Sequence, residues 1–143
     1  MARFVNQGLY TSETDEWETP AEFFRALDAI YKFTLDACAT EENHKCAKYY
    51  TKKEDGLKQD WSGETVWMNP PYGREIKKWV EKAEKEGRKT NTRVVCLLPA
   101  RTDTAWFHDH VLGKARIQFI RGRIRFSGSK WNAPFASILA IYD

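Results

Sequence analysis

The sequence predicts an α/β domain built on one mostly parallel sheet, with an antiparallel strand pair at the C-terminal end and helices on both faces. Three observations carry this prediction. Short apolar runs alternate with stretches of helical periodicity. Two of the runs are halted by prolines, which cannot donate to a strand ladder. The 143 residues, 42% of them hydrophobic, suffice for one core, and no linker or internal repeat divides them. Residues 1–16 are polar and aperiodic and read as a flexible arm, which leaves 17–143 for the domain.

Thr19 and Pro20 followed by Glu22 predict a helix start. Threonine can cap, proline suits the first helical position, and a carboxylate favours the positive helix end. Phe23, Phe24, Leu27, Ile30 and Tyr31 then mark one helix face. Residues 33–37 form a short apolar run stopping at Asp36, as a buried strand meeting a loop does. The charged segment 41–58 has no assignable period. A second buried strand spans 64–68 and is broken by Asn69-Pro70-Pro71-Tyr72. After Gly73 an amphipathic helix turns Ile76, Trp79, Val80 and Ala83 inward, with Gly87 as its expected stop. A third strand covers 93–98 and ends at Pro99, and Thr102 or Asp103 can cap a helix through Trp106, Phe107, His110 and Val111. The tail offers strands at 116–120 and 136–142 around a turn at Gly122 and a polar loop at 127–130. In such sheets ligands sit at the carboxyl ends of strands, so Asp36, Asn69 and Pro99 are expected to face one crevice.

Composition excludes a disordered or fibrous chain. No run approaches the roughly 18 apolar residues of a membrane-spanning helix, and the first residues lack a signal-peptide core. No membrane association is expected. Cys38, Cys46 and Cys96 read as reduced thiols of a cytosolic protein. Cys38, His44 and Cys46 are too few and too loosely spaced for structural zinc, so no metal site is expected. The net charge is only +3, yet no carboxylate lies between Asp109 and Asp143, where Lys114, Arg116, Arg121, Arg123, Arg125 and Lys130 all fall. Such a face is either simply solvated or suited to a polyanion.

The tetrapeptide Asn69-Pro70-Pro71-Tyr72 carries specific chemistry. An amino group conjugated to an aromatic ring is a poor nucleophile, because its lone pair is delocalised. Acceptors that draw its two N–H bonds out of the ring plane favour the form that can attack. The Asn69 side-chain oxygen and the Pro70 carbonyl can each take one N–H, and they stabilise the positive charge that develops. Pro70 and Pro71 fix the backbone, and Tyr72 offers a ring on which a base can stack. A proline-rich turn with incidental Asn and Tyr is the plainer alternative.

Over nearly its full length the chain resembles the phage DNA N-6-adenine methyltransferase family, small Dam-like enzymes of phages and prophages. The resemblance lies in Trp17-Glu18-Thr19-Pro20, Leu35-Asp36-Ala37-Cys38-Ala39, Asp55-Gly56-Leu57, Asp60-Trp61, Trp67-Met68-Asn69-Pro70-Pro71-Tyr72, Leu98-Pro99-Ala100-Arg101-Thr102 and Gly122-Arg123-Ile124-Arg125-Phe126. It implies a Rossmann-like class I methyltransferase sheet, S-adenosylmethionine as methyl donor and the exocyclic amino group of adenine in DNA as acceptor, within the host cytoplasm. It also implies protection of phage DNA from host restriction.

Carried onto this sequence, the resemblance makes Asn69, Pro70, Pro71 and Tyr72 catalytic. It assigns Thr19 and Pro20 to the methionine end of the cofactor, Asp36, Ala37 and Cys38 to the first cofactor loop, and Asp60 to the cofactor's adenine amino group. Asp36 has a turn-capping alternative. The loop after Asp36 departs from the wider methyltransferase pattern in having no glycine. Glu41, Glu42, Glu54 and Asp55 all remain candidates for the ribose hydroxyls. Arg123, Arg125 and Lys130 are expected to hold phosphates, and Phe126, Trp131 or Phe135 to sandwich the base with Tyr72. So short a domain leaves little room for a separate recognition module, which makes a homodimer reasonable. An RNA or protein-glutamine acceptor, or a catalytically idle DNA-binding domain, stays open as an alternative.

Overall fold

The computed structural model describes residues 16–143. Helix α1 (Ala21–Tyr31) leads into the short strand β1 (Leu35–Asp36), followed by a long loop and a single 3-10 turn (Gly56–Lys58). Strand β2 (Thr65–Met68), helix α2 (Ile76–Gly87), strand β3 (Arg93–Pro99) and helix α3 (Ala105–His110) follow, and β4 (Arg116–Phe119) and β5 (Ser137–Tyr142) complete the chain. The expected arm, residues 1–16, lies outside the described part except for Glu16, which lines the cleft described below.

The five strands form one sheet in the order β1-β2-β3-β5-β4. The β1–β2 and β2–β3 pairings are parallel and the β3–β5 and β4–β5 pairings antiparallel. The pairings are thus evenly divided, and the expectation of a mostly parallel sheet is corrected to a mixed one. All strands except β5 nevertheless run the same way, because β5 inserts between β3 and β4.

Alternation along the strands sorts the helices onto the two faces. Trp67 lies beside Val95, which pairs with Ile141, and on this face Phe24 of α1 meets the Trp67 ring edge-on at 5.4 Å. Val66, Val94 and Tyr142 share the opposite face, where α2 packs through Gly87. Helix α3 joins α2 there, and the Tyr142 hydroxyl donates to the His110 carbonyl. Trp61, Trp67, Trp79 and Trp106 are all buried, as expected of core tryptophans.

Three local expectations are revised. Thr19 does not cap α1: Pro20 takes the N-cap position, and no side chain bonds the first turn. Ile30 is 72% exposed, because α1 buries only Phe24 and Leu27. Thr104, rather than Thr102 or Asp103, caps α3 by accepting from the Phe107 N–H. Gly87 is the last helical residue, as the expected stop of α2, and Arg88 beyond it keeps right-handed backbone. A Cβ at Gly87 would overlap Tyr142, so close packing on β5 is what that glycine serves.

Candidate active site

A cleft of about 830 Å³ opens beyond the carboxyl ends of β1 and β2. Its walls include Asp36, Ala37 and Cys38 after β1, Asn69 and Pro71 after β2, and Asp55, Gly56 and Leu57 of the 3-10 turn. The segment 16–19 closes one side. Asp36 and Asn69 therefore share this crevice as expected, whereas Pro99 is not among its lining residues.

Asn69 is fixed on every side. Its amide nitrogen donates to the Trp17 carbonyl at 2.5 Å and to the buried Thr19 hydroxyl oxygen at 2.9 Å. Its side-chain oxygen lies 3.1 Å from the Tyr72 hydroxyl, which also stands 3.0 Å from the Leu97 carbonyl. With one proton, Tyr72 donates to one of these oxygens at a time. The Pro70 carbonyl accepts no hydrogen bond among the described residues.

Tyr72 is only 2% exposed, so the expectation of an open stacking ring is corrected. Its ring packs edge-on against Phe135 at 5.6 Å and Phe126 at 6.5 Å, and Trp17 in turn meets both phenylalanines. Burial pushes the Tyr72 hydroxyl far above the usual phenol range, so it stays protonated. Phe126 is also buried, at 1%, which removes it as an accessible partner for a base. Phe135 is half-buried beneath the Arg101 guanidinium, and Trp131 is exposed. Arg123, Arg125 and Lys130 are exposed, with Arg125 donating to the Ser129 carbonyl.

Asp36 organises its loop. One carboxylate oxygen accepts from the Cys38 N–H at 3.2 Å and the other from the Lys45 N–H at 2.9 Å. Burial nevertheless raises its pKa, and the two backbone bonds only partly offset this. One Asp36 oxygen thus caps the next turn, while the other ties down the more distant loop at Lys45. Burial, reinforced by the Asp36 charge, also raises the Cys38 thiol far above its normal range, so this cleft residue offers no thiolate. His44 stacks on Tyr49 at 3.9 Å and bonds the Cys46 carbonyl.

Asp60 lies outside the cleft. It precedes β2 at the amino end of the sheet, where it accepts from Ser62 and from Lys89. The Ser62 hydroxyl, then Lys89, hold its pKa well below the usual carboxylate range. Asp60→Ala is expected to leave cofactor affinity within about twofold, as for other exposed ion pairs. A tenfold or greater loss by calorimetry would restore it to the cofactor site. Among the four ribose candidates, Glu41, Glu42 and Asp55 line the cleft, while Glu54 caps the turn at Thr51. Asp55 holds an uncommon positive φ of 58° and accepts from the Leu57 N–H.

Sequence reasoning did not assign Trp17, Tyr50 or Thr51 to this cleft. Trp17, adjoining Thr19 and Pro20, was the one with a local signal.

Comparison with known proteins bears on the chemistry of this arrangement. DNA N-6-adenine-methyltransferase of Escherichia phage T1 is 40% identical over 111 residues, which cover 74% of this chain and 44% of that protein. The chain thus spans under half the length of this relative. Putative methyltransferase YfdM of Escherichia coli (strain K12) is 35% identical over 65 residues, covering 41% of this chain and 71% of that protein. The model of the family described as DNA N-6-adenine-methyltransferase (Dam) matches residues 7–137, a span that takes in the Asn69 turn, the cleft and the basic loop. With so continuous a match, the chain belongs to the DNA N-6-adenine-methyltransferase (Dam) family.

Proposed function

We propose that this chain transfers a methyl group from S-adenosylmethionine to the exocyclic amino group of adenine in DNA, on a Rossmann-like methyltransferase sheet. The observation that carries the proposal is the Asn69 amide, which lines a ligand-sized cleft with its nitrogen bonded twice within the protein, so that its oxygen, 3.1 Å from the Tyr72 hydroxyl, is the atom left to accept from a substrate. The sheet supports the fold reading, since four strands run one way and β5 alone is reversed.

The cleft residues suit the cofactor. The volume of about 830 Å³ falls within the small-molecule range, and Ala37, Leu57, Trp67 and Trp79 give it apolar walls. Asp55, fixed by its turn, is assigned to the ribose hydroxyls, with Glu41 and Glu42 beside it. Thr19 borders the Asn69 end, whereas Pro20, at the N-cap of α1, is not among the lining residues. When bound, S-adenosylmethionine supplies an electrophilic methyl group on a sulfonium.

The protein's part is placement and electrostatics. The Asn69 oxygen and the Pro70 carbonyl accept the two amino N–H bonds and strengthen their hold as positive charge develops. Pro70 and Pro71 keep that reorganisation small. No strong base is needed, because the alkylated nitrogen gives up its proton readily. In a duplex the adenine must be flipped out, at a cost of about a few kcal/mol. Tyr72, covered by Phe126 and Phe135, backs Asn69 through its hydroxyl rather than offering its ring to the base. Exposed Arg123, Arg125 and Lys130 suit flanking phosphates, and Trp131 lies beside them for a base.

The test is transfer of a labelled methyl from S-adenosylmethionine to unmethylated DNA, RNA and protein in parallel. Label on DNA is expected. Label confined to RNA or protein would move the acceptor, and no label on any of them would favour an idle binding domain.

A further inference from the structure

We infer that Thr19 is a positioning residue: its buried hydroxyl, with the Trp17 carbonyl, holds the Asn69 amide so that oxygen rather than nitrogen faces the substrate. This rests on the methyl-transfer reading of the Asn69 site and deepens it.

A primary amide has nearly the same shape after a half-turn, but the turn exchanges an acceptor for a donor. A flipped Asn69 would aim N–H at N–H and lose the interaction that activates the amino group. Nothing within Asn69 itself prevents this. The segment 17–19 does, because both nitrogen hydrogens find acceptors there, at 2.5 Å on Trp17 and 2.9 Å on Thr19. The Trp17 carbonyl cannot donate, so the flipped amide would set oxygen against oxygen there, and the Thr19 hydroxyl, which can donate or accept, holds the amide in the orientation the carbonyl selects. Thr19 is 2% exposed, which leaves little room for water to replace its hydroxyl. That hydroxyl is not spent on α1, whose first turn receives no side-chain cap.

The segment is itself pinned. The Ser127 N–H donates to the Glu18 carbonyl at 2.9 Å, and the Ser127 hydroxyl lies 3.5 Å from the Thr19 carbonyl. Ser127 belongs to the stretch that carries Arg123, Arg125 and Lys130. The stretch proposed to grip DNA therefore abuts the residues that orient Asn69.

A direct contact between Thr19 and the cofactor would show in affinity, whereas positioning shows in turnover. The full chain and its Thr19→Val and Thr19→Ser variants are assayed on unmethylated genomic DNA at saturating cofactor, with cofactor affinity by calorimetry and folding by thermal melting. Thr19→Val is expected to lower kcat about ten- to a hundredfold while cofactor Kd stays within about twofold. Thr19→Ser, which keeps the oxygen, is expected to restore kcat to within about threefold of wild type. Wild-type kcat in Thr19→Val, a loss confined to cofactor affinity, or a folded Thr19→Ser as slow as Thr19→Val would overturn the inference. If Thr19→Val does not fold, Thr19→Ala takes its place in the comparison with Ser. An inactive wild type would instead sink the methyl-transfer reading, and the inference with it.

Discussion

Asn69→Ala is expected to lower methyl transfer to DNA by at least about a thousandfold while cofactor affinity stays within about threefold. In the proposed mechanism the side chain supplies the acceptor that meets the reacting amino group, and alanine leaves nothing in its place. The adjoining Pro70 carbonyl remains, but one acceptor cannot draw both N–H bonds from the ring plane. The loss should fall on kcat, since the interaction strengthens as charge develops on the nitrogen. Stability should fall too. Truncation leaves the Trp17 carbonyl and the Thr19 hydroxyl without their donor, a cost of about 1–3 kcal/mol for buried polar groups. Thermal melting alongside the assay separates this loss from the catalytic one. Turnover near wild type in a folded variant would remove Asn69 from the mechanism.

Gly56→Ala is expected to destabilise the fold by about 1–3 kcal/mol or more and to weaken cofactor binding. The added methyl would overlap the Ala37 carbonyl oxygen and approach the Trp79 ring to 3.1 Å. Neither neighbour can retreat cheaply. Ala37 is anchored through its N–H to the Trp67 carbonyl at 3.0 Å, and the Gly56 carbonyl accepts from the Trp61 indole at 3.0 Å. Because Ala37, Gly56, Leu57 and Trp79 all line the cleft, pushing them apart deforms its wall. Melting and calorimetry read the two effects, and an unchanged midpoint with unchanged affinity would contradict the packing described.

Strong local signals made part of this legible beforehand. The α2 helix announced itself by inward Ile76, Trp79, Val80 and Ala83, and β2 and β5 by unbroken apolar runs. The Asn69-Pro70-Pro71-Tyr72 turn was legible as a break after β2, and Asn69 and Pro71 do line the cleft. What stayed hidden depends on contacts distant in sequence. Thr19 reads locally as a helix cap, and only the return of the 16–19 segment over Asn69 gives its hydroxyl another partner. Tyr72 reads as an open platform until Phe126 and Phe135 cover it. The loop 41–58 has no period because it is tied down by backbone bonds of Asp36 and Ala39 to Lys48 and Tyr50 and by the Asp36 carboxylate at Lys45, rather than by a hydrophobic stripe. Asp60 was assigned by resemblance alone, and its geometry turns it toward Lys89 instead.

The most direct test of the central claim is to treat unmethylated DNA with the protein and S-adenosylmethionine, digest it to nucleosides and identify the product by mass and chromatography. The account predicts N-6-methyladenine from the wild-type chain and none from Asn69→Ala. A methylated cytosine, or the same product from both proteins, would contradict it.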